Sequence, residues 1–225
     1  MTEDEWLASD DPGKMLEFLW GKATDRKLRL FAVACCRQVW SRITHPASRE
    51  AVNLAEKFAE GMVPAHALEV ARQLHRDSGV YRTERNLANA ISAAALVQNS
   101  SGVVGLESAH EAAKYAAHAM TDRPEGGTRS YKDPSWRPLW DTARKQQVTI
   151  LIHIVGNPFR PYAAPDRWPA TVVQLAQALY DGQDCGFALH DALLEAGQAE
   201  LAGHFRQEQA HPKGCWALDL ILGKS

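Results

Sequence analysis

Apolar residues return every three or four positions through most of this 225-residue chain. That is the spacing of one helix face, not the alternation of a strand. Residues 3–20 predict one or two short helices broken near Asp10-Asp11-Pro12. There Asp11 can cap a helix with Pro12 in its first turn, and Met15, Leu16, Leu19 and Trp20 share a face. Thr24 is the expected N-cap of the strongest helix, whose stripe runs Leu28, Phe31, Ala32, Cys35, Val39 and Ile43, with Arg26, Arg29 and Arg37 off it. Pro46 and Pro64 each open a further helix. The first carries Val52, Leu54, Ala55 and Phe58 up to Gly61; the second carries Leu68, Ala71, Leu74 and His75 up to Ser78-Gly79.

Two alanine-rich helices are expected next, from Thr83 or Glu84 to Gln98 and from Leu106 to Met120, with a break over 99–102. The chain holds 35 alanines, and small side chains on both segments predict close helix–helix contact. Residues 122–135 carry Pro124, Gly126, Gly127 and Pro134 and read as a flexible loop. The expected organisation is therefore a helical N-terminal half over 1–121, the loop over 122–135, and a helical C-terminal half over 136–225. Within that last half, Val148–Val155 suits a strand by its β-branched content and a helix by its continuity with Trp140–Gln147; no partner strand is visible, so a buried helix is expected. Gly156-Asn-Pro-Phe-Arg-Pro161 is expected to be an ordered turn, followed by a helix from Trp168-Pro169, a helical hairpin turned at Gly197, and a last helix over Cys215–Leu222. The fold class is all-α: a multi-helix bundle, either single or in two helical halves. No clean internal repeat supports a solenoid.

Charge narrows the function. Lys and Arg number 25 against 27 Asp and Glu, for a net charge of -2, which argues against a generally basic nucleic-acid binder. No apolar run reaches the about 18 residues of a membrane span, and the start Thr2-Glu3-Asp4-Glu5 lacks signal-peptide character. Four cysteines, two of them adjacent, predict reduced thiols and a cytoplasmic location rather than a disulfide scaffold.

Glu3-Asp-Glu-Trp-Leu7, Met15-Leu-Glu-Phe-Leu19 and Gly21–Arg37 at one end resemble a family of uncharacterised helical bacterial proteins abundant in planctomycetes. So do Gly156–Pro161, Val172–Asp181 and Gly214-Cys-Trp-Ala-Leu-Asp-Leu-Ile-Leu-Gly-Lys224 at the other. The resemblance covers nearly the whole chain in order and implies the helical architecture and its boundaries. It carries no activity and transfers no catalytic residue.

The catalytic motifs thin out on inspection. His110-Glu-Ala-Ala-Lys114 has a cation where a zinc-protease helix needs its second imidazole. Cys35-Cys36 is too tight for a zinc pair. His211 and Cys215 have workable ligand spacing but flank Pro212 and Gly214, and Cys215 is the best thiol-nucleophile candidate. No phosphate loop, dinucleotide fingerprint or nucleophile elbow is present. The expectation is no cofactor and no metal.

A basic and aromatic zone remains, in which Arg129, Trp136, Arg137, Trp140, Phe159 and Arg160 are the candidate binding residues. Arginines beside aromatics suit a protein hot spot or stacked single-stranded nucleic acid, and equally tryptophans that fill the junction between the two halves. An acidic counterpart, Asp181, Asp184, Asp191, Glu195, Glu200 and Glu208, lies in the C-terminal hairpin. The expected function is a non-catalytic protein-interaction or scaffold module with a protein partner. The alternatives are a metal- or thiol-dependent hydrolase and a nucleic-acid-associated accessory subunit.

Overall fold

The computed structural model describes residues 1–79, 85–94, 103–123, 127–206 and 211–224. Its regular structure is all helical. The α-helices are α1 (Glu3–Leu7), α2 (Pro12–Phe18), α3 (Asp25–Gln38), α4 (Pro46–Ala59), α5 (Ala65–Asp77), α6 (Arg85–Ala94), α7 (Val103–Thr121), α8 (Trp136–Val155), α9 (Ala170–Tyr180), α10 (Gly186–Glu195), α11 (Ala199–Gly203) and α12 (Trp216–Leu222). A 3-10 turn, Trp40–Arg42, follows α3, and no strand occurs among the described residues. No helix among them is long and apolar enough to cross a membrane.

Local chemistry sets the helix starts. Thr2 and Glu5 form a reciprocal capping box on α1, the Asp11 carboxylate accepts from the Gly13 and Lys14 amides, and the Thr24 hydroxyl accepts from Lys27 N. At α4 an imidazole takes this role: His45 Nδ1 accepts from Ala47 N at 3.2 Å, just ahead of Pro46.

The chain divides into two compact units, 1–151 and 152–225. In the first, α7 packs most extensively on α6 and α3, and α4 lies against α3 and α5. Both α6 and α7 bury alanines: Ala88, Ala90, Ala93 and Ala94 on the first, and Ala109, Ala112, Ala116 and Ala117 on the second. The predicted stripe of α3 is buried throughout. Arg29, expected off that stripe, is 8% exposed: its guanidinium donates to Ala94 O at 3.3 Å and lies over the Phe58 ring. Leu74, expected inside, is 53% exposed, because α5 buries Leu68, Ala71 and His75 instead.

The border between units falls inside α8 rather than in 122–135. The reason is that the loop and the first turns of α8 are tied into the first unit. Arg129 Nε donates to Thr121 O at 3.1 Å, Arg42 Nη1 to Asp122 O at 3.2 Å, and Gln147 Nε2 to Ala113 O at 2.8 Å. The β-branched stretch 148–155 is helical, completing α8. The breaks expected over 99–102 and around 124–126 lie outside the described residues.

The second unit has its own core of Val172, Ala176, Tyr180, Leu189, Leu193, Leu201, Ala202, Phe205, Cys215, Ala217, Leu218 and Ile221. Gly156, directly after α8, has φ +79, and a Cβ there would lie 2.9 Å from the Trp216 indole. Only glycine lets the chain turn under that ring.

Candidate functional site

The sequence-predicted residues fall into three local settings. Trp136 and Trp140 occupy one face of α8 four residues apart, half-buried and stacked, with centroids 5.2 Å apart and planes 13° from parallel. The His118 ring of α7 closes on Trp140 at 4.6 Å, and the Arg144 guanidinium lies 5.5 Å above the same indole. Beside this stack is an open recess of about 490 Å³, where Asp10, Asp11 and Asp141 meet Arg137, Arg144 and Lys145 around Trp140. Arg144 pairs with Asp11, and exposed Arg137 pairs with Asp141 at 3.0 Å.

Arg129 is a brace. Its guanidinium holds Thr121 O, Asp133 at 3.1 Å and Ser135 Oγ at 2.9 Å. Hydrogen bonds from Ser135, with Arg129 adding its charge, pull the Asp133 carboxyl down to about 2. Phe159 and Arg160 lie in the turn after α8, where Asn157 Oδ1 accepts from Phe159 N at 2.9 Å. Phe159 is half-buried and Arg160 exposed.

A fourth setting, which the sequence showed only in part, is a group of three imidazoles and a thiol in the second unit. His153 lies in the last turn of α8, His204 is the C-cap of α11, His211 precedes the Pro212–Cys215 turn, and Cys215 is the N-cap of α12. One donor atom from each lies within 4.8 Å of all the others. His204 Nε2 is 3.1 Å and His211 Nδ1 is 3.7 Å from Cys215 Sγ. The turn is closed by Cys215 N donating to Pro212 O at 3.0 Å, with Gly214 at φ +81, the left-handed third position that a type II turn requires.

Burial makes His204 and His211 poor cations. His204 is pushed down to about 3 by desolvation, then by the neighbouring His211 and His153; His211 is pushed down to about 4 by desolvation and His153. Neutral imidazoles are the form in which histidine binds metal. His211 Nε2 is buried and makes no hydrogen bond within the described residues. Cys215 is fully buried, so a substrate carbon has no route to Sγ in this conformation, although the thiol–imidazole distance alone would suit a nucleophile.

The sequence could offer the His211–Cys215 spacing but not His153 or His204, which only folding brings near. His190, on α10, is not part of the group and pairs with Asp191 at 3.0 Å. His110 and Lys114 form no such set: Lys114 pairs with Glu111 at 3.3 Å. Cys35 and Cys36 are buried and free, and desolvation pushes the Cys35 thiol well up and the Cys36 thiol up to about 12. In the acidic hairpin Asp181 meets Lys213 at 3.7 Å; Glu208 lies outside the described residues. The chain matches no protein-family model, no curated protein and no solved structure.

Proposed function

We propose that the chain is a non-catalytic recognition module that binds a protein partner through the first turns of α8. The observation carrying this is the half-buried Trp136–Trp140 stack with exposed Arg137 beside it. Tryptophan and arginine are the residue types that dominate binding energy at protein interfaces, and a stacked pair has little rotamer freedom left to lose on binding.

A nucleic-acid partner is the weaker reading. The recess beside the stack balances three carboxylates against three cations, and two of those cations already hold carboxylates. A polyanion needs cations free to neutralise phosphates. Mixed charge around an aromatic anchor suits a partner surface of mixed charge. The likeness to the planctomycete-type family, the bacterial source and the cytoplasmic location belong to the same proposal, resting on the motifs and on the free thiols.

The test uses the intact chain as bait in its native cell extract. Trp140→Ala and Arg137→Ala should each lose the captured partner by about tenfold or more, as truncating a hot spot does, while circular dichroism stays helical. Retention on single-stranded DNA or RNA that falls steeply with salt, and that Arg137→Ala abolishes, would overturn the protein-partner reading.

A further inference from the structure

We infer that His153, His204, His211 and Cys215 hold one zinc ion in a closed, structural site that pins the second unit together. Nothing in the proposed recognition surface requires it; the inference stands on the geometry of these four side chains.

The donor chemistry selects the metal. One thiolate sulfur and three imidazole nitrogens, with no carboxylate among them, suit zinc and repel calcium or magnesium, which take oxygen ligands. The spacing fits as well. With Zn–N of about 2.0–2.1 Å and Zn–S of about 2.3 Å, a tetrahedron has N–N edges of roughly 3.3–3.4 Å and N–S edges of roughly 3.5–3.6 Å. The two nitrogen–sulfur separations, 3.1 and 3.7 Å, bracket that range, and the full set lies within 4.8 Å. Small side-chain rotations close the remainder.

The four ligands also lie where a staple would work. They come from the end of α8, the end of α11, the Pro212 turn and the start of α12, all inside the unit 152–225. Cys215 belongs to the unit's apolar core, and so does Phe205, directly after His204. A unit of this size has a small core, and small domains commonly gain stability from a metal. Four protein ligands fill a tetrahedron and leave no position for water. The site therefore supports folding, not hydrolysis. Binding releases the thiol proton of Cys215 and forms one Zn–S and three Zn–N bonds, with no oxidant or reductant involved.

The chain purified without chelator should carry about one zinc by elemental analysis. Replacing it with Co²⁺ should give intense visible bands of tetrahedral cobalt and a near-ultraviolet sulfur-to-cobalt charge-transfer band. Cys215→Ser should lose the charge-transfer band. His153→Gln and His204→Gln should each weaken cobalt affinity beyond the about 10–100-fold cost of altering an outer hydrogen-bond partner. His190→Gln, in the same unit, should bind like the parent. Adding azide to the parent should leave the cobalt bands unchanged, because no coordination position is open. Absence of metal as purified, together with no cobalt bands when the folded parent is titrated, would overturn the site without relying on any variant. Parent-like affinity in His153→Gln, or azide-shifted bands in the parent, would overturn its closed four-ligand form.

Discussion

His75 shows how one polar side chain is accommodated in the first unit. It is fully buried. Its Nε2 lies 3.1 Å from Ala88 O, which can only accept, so Nε2 carries the proton and donates. Nδ1 is then an acceptor for the Ser48 hydroxyl at 2.9 Å. Only the Nδ1 bond requires the neutral ring; the bond to Ala88 O favours the charged form, but desolvation outweighs it and moves the pKa below the ordinary histidine value. For a group so depressed, the stabilisation is complete above the unfolded pKa of about 6.5 and is lost as pH falls below it toward the folded value. His75→Gln should lower stability near neutral pH by about 1–3 kcal/mol, the cost of leaving buried partners unsatisfied, and should flatten the decline between neutral and mildly acidic pH. Urea melts of parent and variant across that range check this. Parallel curves for the two would show that His75 is not the titrating group.

At the scale of elements, the joint between α8 and α12 is tightly constrained. Gly156 combines φ +79 with a Cβ position 2.9 Å from the Trp216 ring. Gly182, in the same unit, has φ +90 and open space around it. Gly156→Ala should therefore cost about 2–5 kcal/mol, joining left-handed strain to overpacking, while Gly182→Ala costs only the strain of about 1–2 kcal/mol. Equal losses in thermal melts would mean that the indole gives way freely. Most of these elements were legible in the chain. Asp11-Pro12, Thr24, Pro46 and Gly197 mark boundaries by local chemistry that needs no tertiary partner. Arg29 and Leu74 were not legible, because the face a helix buries depends on its neighbours: Arg29 is drawn inward by Phe58 and Ala94 O. The same limit applied to the candidate sites. Trp136, Arg137 and Trp140 lie four residues apart or closer and could be grouped in one zone by proximity along the chain, although the helix starts at Trp136, two residues before the Pro138 start that the sequence suggests. His153 and His204 approach His211 and Cys215 only through packing of α8, α11 and α12.

For the molecule as a whole, two compact units imply that a ligand held by one protects that one first. Zinc at one hundred times its Kd adds about 2.7 kcal/mol to whatever it stabilises, which slows amide exchange through the same opening by about 100-fold. Hydrogen exchange followed by mass spectrometry should show zinc-dependent protection in α9 to α12, with α3 and α7 exchanging at the same rate with or without the metal. Equal protection of α3 would mean that the two units open as one.

Side-chain entropy scarcely opposes the packing of the alanine-rich helices α6 and α7. An alanine has no rotamer to lose on burial, so bringing these two helices together costs backbone freedom and almost nothing in side-chain freedom. In exchange, each residue hides little apolar area, and the contact depends on how close the helix axes come. Such a seam tolerates no gradual enlargement. Ala112 and Ala116 are fully buried, so a branched side chain at either overpacks its surroundings and is expected to push the neighbouring helices away. Packing of this kind limits side-chain size rather than interlocking shape.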